Sequence, residues 1–185
     1  MALEHAILVS LSERAGSGYE LARRFDKSIG FFWAATHQQI YRVLARMAEA
    51  GWVSAEEIAQ QGRPDKKVYT VSAAGHAELE RWLAEPLEPP SFRDELGVKL
   101  RGAELGGAVD SVLKEVERHR ELHAERLAIY RAIERRDFPA PDELTGRQLH
   151  QYLVLRGGVL AEQSFMQWCD EVIQAISNDM RGTSR

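Results

Sequence analysis

Apolar residues recur at spacings of three and four along most of this chain, and the pattern shifts to alternation only in a short stretch before residue 72. Leu3, Ala6, Ile7 and Leu11 share one helical face, and Arg14-Ala15-Gly16-Ser17-Gly18 breaks it, so a first short helix ends there. Ser17 followed three residues later by Glu20 has the spacing of a capping box. The hydroxyl takes a free backbone N–H while the carboxylate reaches back, which predicts a helix over 19–25 with Leu21, Ala22 and Phe25 inward. A loop with Ile29, Gly30, Phe31, Phe32 and Trp33 follows, its aromatics expected in a core or interface. Thr36 and Gln39 repeat the box and open a third helix that Gly51 stops. On it Ile40, Val43, Leu44 and Met47 fall on one side, and Gln38, Gln39, Arg42, Ala45 and Arg46 on the other.

Beyond Gly51, Trp52–Ala59 and Lys67–Val71 flank a segment of breakers and charge over 60–66, the pattern of a two-stranded hairpin. Ser72 caps a fourth helix over 73–84 with Leu79, Trp82 and Leu83 on its buried side, and Pro86, Pro89 and Pro90 mark a linker. The second half is helical by pattern. A short element covers 93–100, and a long helix covers 103–136 with a seam of Val109, Val112, Val116, His119, His123, Leu127, Tyr130 and Ile133. Pro139 and Pro141 end it, and a last helix spans 144–177, where Gly157-Gly158 bends it or admits a close neighbour.

The pattern therefore predicts a mainly α protein with a small β-hairpin wing: a winged helix-turn-helix over 1–85, a linker and short helix over 86–102, a long antiparallel helical hairpin over 103–178, and a disordered tail over 179–185. The two long helices carry more apolar surface than one pair can hide. A second copy of the chain is expected to cover the rest, through Leu149, Tyr152, Leu153, Leu160, Phe165, Trp168, Val172 and Ile176.

Composition narrows the classes. The 185 residues are 44% hydrophobic, enough for a folded core. No long uncharged apolar run reads as a membrane span or signal peptide, so a cytoplasmic protein is expected. Cys169 is the single cysteine, which excludes an intramolecular disulfide and a multi-cysteine zinc site. His119 and His123 stand at i, i+4, a spacing two metal ligands can share, but no third ligand is evident and seam or surface histidines are the simpler reading. No nucleophile, base and orienting group converge by spacing, so neither an enzyme nor a cofactor is expected.

The net charge of -4 speaks against a general polycation. Its distribution changes the picture: Arg14 to Lys67 holds nine basic and six acidic residues, a local +3 that leaves -7 elsewhere. A basic head with an exposed strip of Gln and Arg on its third helix has the chemistry of major-groove readout, because Gln pairs with adenine and Arg with guanine through two hydrogen bonds each. His37, Gln38, Gln39, Arg42 and Arg46 are the expected base readers, and Ser17, Tyr19, Thr36, Tyr41, Arg63, Lys66 and Lys67 the expected backbone contacts. Tyr41 sits between faces and reads equally as a phosphate contact or as packing against the wing.

Gly18-Tyr19-Glu20-Leu21, Phe32-Trp33, Gln39-Ile40-Tyr41 with Leu44, Gly51-Trp52-Val53, Gly62-Arg63-Pro64 with Lys67 and Tyr69, and Thr70 to Gly75 occur in an order that resembles PadR-type transcriptional regulators. The likeness spans 3–83, and Asp94-Glu95-Leu96 with Lys99-Leu100 looks like the start of that family's helical region. It implies a bacterial repressor that binds double-stranded operator DNA as a homodimer, its reading helices about 34–36 Å apart in successive major grooves. It also implies release by a small aromatic or drug-like effector. Thr36 stands where the family commonly has serine, and Arg42 where it commonly has proline. The acidic net charge leaves a different reading open, a ligand-binding or protein-interaction scaffold of the same fold without operator binding.

Overall fold

The inward faces of the first three helices meet in one core. Ile7, Leu8 and Leu11 of α1 (Ala2–Glu13), Leu21, Ala22 and Phe25 of α2 (Gly18–Lys27), and Ile40, Val43, Leu44 and Met47 of α3 (His37–Glu49) form a single buried cluster that Val53 and Leu79 complete. Each of the larger side chains contributes roughly 1.5–3 kcal/mol on burial, so this cluster fixes the helices to one another. The computed structural model describes residues 2–27, 35–59, 66–89 and 94–183. It divides into two compact units, residues 1–89 and 90–185.

Gly51 ends α3 as the sequence predicts. Its φ of +74° is the left-handed conformation that glycine adopts without penalty, and it lets Gly51 N–H donate to Ala48 O and Trp52 N–H to Met47 O. The chain then enters β2 (Val53–Ile58), which pairs antiparallel with β3 (Lys66–Val71) in the register Ser54 to Thr70 and Glu57 to Lys67. The sheet has three strands, not the expected two. Gly16–Ser17, read in sequence only as a break and a cap, forms β1 on the free edge of β3, with Gly16 opposite Tyr69 and Ser17 opposite Val68. That pairing occupies backbone groups of β3 that a bare hairpin would leave open.

Helix α4 (Ala73–Leu83) starts where Ser72 Oγ accepts Gly75 N–H at 3.1 Å. Gly75 admits no side chain: a Cβ there would stand 2.1 Å from the Trp52 carbonyl oxygen. Leu79 and Trp82 pack on the core, whereas Leu83, expected inside, is 65% exposed because it lies one residue past the inward stripe of Gly75, Leu79 and Trp82. Buried His5 of α1 stacks on Trp82 with ring centroids 4.4 Å apart and places Nε2 2.9 Å from a Glu78 oxygen, tying the first helix to the fourth.

In the second unit Asp94 caps α5 (Glu95–Gly102) by accepting Leu96 and Gly97 N–H, each at 3.0 Å. Long helices α6 (Val109–Asp137) and α7 (Gly146–Thr183) are joined through a 3-10 turn at Pro141–Glu143. Three boundaries differ from expectation. Helix α6 begins at Val109 and not near residue 103, because Gly107 at φ +62° breaks the chain before it. Helix α5 belongs to the core of this unit and not to a linker, since Leu96 is buried with Ala103, Val112, Val116 and Cys169. Helix α7 continues through 179–183, where a tail is expected, and Arg181 Nε donates to Ser177 O at 3.0 Å near its end. Of the glycine pair, Gly158 serves a close approach: a Cβ there would lie 3.0 Å from the ring of buried Tyr130, whereas one on Gly157 would meet nothing within 4 Å. Among the described residues no helix is long and apolar enough to cross a membrane.

Candidate nucleic-acid interface

Because Ile40, Val43, Leu44 and Met47 anchor one face of α3, its other face must be presented outward. His37, Gln38, Gln39, Arg42 and Arg46 are all exposed. Thr36 Oγ1 accepts Gln39 N–H at 3.2 Å, and Gln39 Oε1 accepts Thr36 N–H at 2.8 Å, so the predicted capping box forms and engages the Gln39 carbonyl before any ligand does. Arg46 is similarly engaged, donating to Glu4 Oε1 of α1 at 2.7 Å. Gln38 and Arg42 stand in the first two turns of α3, on the exposed side of the same helix.

The neighbouring elements support that helix from below. Ser17 N–H donates to Glu20 Oε2 at 2.8 Å and Glu20 N–H to Ser17 Oγ at 3.3 Å, the second predicted box. Tyr41, 48% exposed, lays its ring on Gly18 so closely that a Cβ would meet Tyr41 Cε1 at 2.4 Å. Packing on the start of α2 is thus part of its role. Tyr19 is exposed, with the Arg23 guanidinium 5.9 Å above its ring. The Arg24 guanidinium donates to Ser10 O at 2.9 Å and Ala15 O at 3.3 Å, holding the end of α1 against α2.

Of the wing cations, Lys67 is exposed, while Lys66 Nζ donates to Glu20 Oε1 at 2.8 Å. The Lys66 ammonium and the Ser17 N–H together lower the Glu20 carboxyl from the usual 4.5 to about 2. Arg63, the rest of the tip over 60–65, and the aromatics Phe31, Phe32 and Trp33 lie outside the described residues. Sequence reasoning missed the partners of two expected contacts, Glu4 for Arg46 and Glu20 for Lys66. A capping box uses only one carboxylate oxygen, so the second oxygen of Glu20 was the available signal.

The residues expected between two copies of the second unit are divided by the structure. Trp168 and Val172 pack within the chain against the cluster around Val116 and Cys169. Phe165 stacks on His123 with centroids 4.8 Å apart, and Tyr152 meets Phe138 at 5.6 Å. Leu149 and Ile176 are half-buried, whereas Leu153 and Leu160 are 53% and 49% exposed. Facing the seam, buried Glu162 pairs with His123 Nδ1, while His119 turns to Glu115 at 3.4 Å. Among the described residues no group of three His, Cys, Asp or Glu side chains could hold a metal ion.

Comparison with known proteins identifies this arrangement. The model described as the transcriptional regulator PadR-like family matches residues 7–81, and one described as virulence activator alpha C-term matches 92–177. The probable transcriptional regulator Rv1176c of Mycobacterium tuberculosis is 54% identical, over 95% of this chain and 98% of that protein. The chain belongs to the PadR-like family of transcriptional regulators. As a PadR-like regulator it is not an enzyme, and its winged-helix fold is shared by solved relatives. The Vibrio cholerae virulence activator AphA matches with a TM-score of 0.81 at 33% identity, over 95% of this chain and 98% of that one. Bacillus subtilis PadR in complex with operator DNA matches with a TM-score of 0.84 at 23% identity, over 95% and 99%. The same Bacillus protein in complex with p-coumaric acid matches with a TM-score of 0.78 at 22% identity, over 95% of each chain. At those two identities the likeness carries the PadR-like fold.

Proposed function

We propose that this PadR-like regulator binds operator DNA sequence-specifically as a homodimer in the cytoplasm, and represses transcription until a small aromatic or drug-like effector releases it. The observation that carries the reading is the two-sided character of α3, buried through Ile40, Val43, Leu44 and Met47 and exposed through His37, Gln38 and Arg42. Gln38 and Arg42 are the principal base readers, each able to contribute about 1–3 kcal/mol of discrimination. Gln39 chiefly fixes the start of the helix, and Arg46 its angle against α1. Tyr19, Tyr41 and Lys67 meet phosphates, and a second copy of the chain covers the stripe of Leu153 and Leu160, two helical turns apart on α7. Operator DNA and p-coumaric acid are bound by the Bacillus neighbour of the same fold, which supports the choice of both ligands.

The test is a titration with the duplex that the protein enriches from a randomised library, beside a scrambled duplex, at several salt concentrations. A steep fall of affinity with salt together with preference for the enriched sequence is expected. Equal binding to both, or none, would contradict the reading and favour a scaffold. A second reading of the regulatory sign is activation, favoured by the 33% identity to a virulence activator over most of the chain. Expression from the bound promoter after deletion of the protein separates them: it rises for a repressor and falls for an activator.

A further inference from the structure

We propose that Glu20 is a positioning residue for DNA recognition, which holds Lys66 back from phosphate and uses it to fix the root of the wing to the first turn of α2. This rests on the DNA-binding reading above. One carboxylate serves two elements: Oε1 accepts Lys66 Nζ at 2.8 Å, and Oε2 accepts Ser17 N–H at 2.8 Å. Ser17 is itself paired with Val68 of β3, so backbone pairing and ion pair hold the same strand at positions two residues apart. Tyr41 of α3 rests on Gly18 in that same turn. Wing root, α2 and reading helix therefore meet at one junction, and the height of the wing relative to Gln38 and Arg42 is set there.

Lys66 and Lys67 then do different work despite being neighbours. Successive side chains of a strand point to opposite faces, so Lys67 is presented away from Glu20. A cation that is already neutralised by a carboxylate releases little counterion when DNA arrives, and an unneutralised one releases about one.

The experiment compares Glu20→Gln, Lys66→Met, the double variant and Lys67→Met on the enriched and scrambled duplexes across salt, with helicity checked by circular dichroism. Glutamine still accepts the cap N–H, so Glu20→Gln removes the tie and not the helix start. It is expected to steepen the salt slope by about 0.9 and to strengthen binding to scrambled DNA. Enriched-over-scrambled preference should drop by roughly fivefold in Glu20→Gln and in Lys66→Met. In the double variant the local charge equals that of the natural protein, so the slope returns while the preference stays low. Lys67→Met flattens the slope by about 0.9 and leaves the preference intact. A double variant that regains preference along with slope would overturn the proposal, since the two residues would then act as charges alone. So would Lys66→Met behaving as Lys67→Met does. Absence of any preference in the natural protein itself marks failure of the DNA-binding reading and takes the proposal with it.

Discussion

Gly75 has one task, to let the start of α4 close on the turn after α3. Its missing Cβ leaves room for the Trp52 carbonyl, 2.1 Å from where that atom would stand, while Ser72 holds its N–H. Backbone cannot swing aside as an exposed side chain can. Gly75→Ala is therefore expected to destabilise the first unit by about 1–3 kcal/mol, read as a lower thermal midpoint. An unchanged midpoint would mean that the turn re-forms elsewhere. Gly18 differs, because the atoms it would meet belong to the half-exposed Tyr41 ring. Engaged side chains follow a similar logic. Gln39 and Arg46 sit on the exposed face with Gln38 and Arg42, yet a capping box and Glu4 already hold them.

At the scale of elements, the junction of β1, β3 and α2 is sensitive to acid. Glu20 is held near 2 by Lys66 and Ser17, against 4.5 when unpaired, so its contribution is complete above 4.5 and disappears as pH falls toward 2. Exposure of the pair keeps that contribution to about 1 kcal/mol or less. The stability gap between the natural protein and Glu20→Gln should thus narrow as pH is lowered from 4.5 to 2 in thermal unfolding. A gap that is constant over this range would show that the ion pair adds nothing. The helices themselves were legible in the sequence, because capping boxes at Ser17 and Thr36, the glycine stop at Gly51 and the apolar spacing of α3 are local signals. The third strand was not, since Gly16–Ser17 carries no alternation and is a strand only because β3 lies beside it. Long-range partners were equally hidden: Glu4 for Arg46, Lys66 for Glu20 and Glu162 for His123 are separated by 39 to 46 residues, a distance that spacing rules do not reach. The start of α6 was hidden because Gly102, Gly106 and Gly107 mark a break without saying where it falls, and Gly107 decides it by its conformation.

For the whole molecule, the question is how many reading helices act together. The second unit spends Trp168 and Val172 on its own core and leaves Leu153 and Leu160 exposed, so the proposed dimer face is narrower than the apolar pattern of α7 implies. Leu153→Asp combined with Leu160→Asp should convert a dimer into a monomer in sedimentation velocity and weaken operator binding severely, with helicity preserved. A dimer that persists would move the interface off this stripe. The central claim, that the outward face of α3 reads bases, is tested most directly by measuring the affinity of the natural protein and Arg42→Ala for every single-base-pair change of the enriched duplex. Loss of discrimination at one base pair per half-site, by about 1–3 kcal/mol, with the other positions unchanged, is the result expected. Uniform weakening at all positions, on scrambled DNA as well, would contradict it.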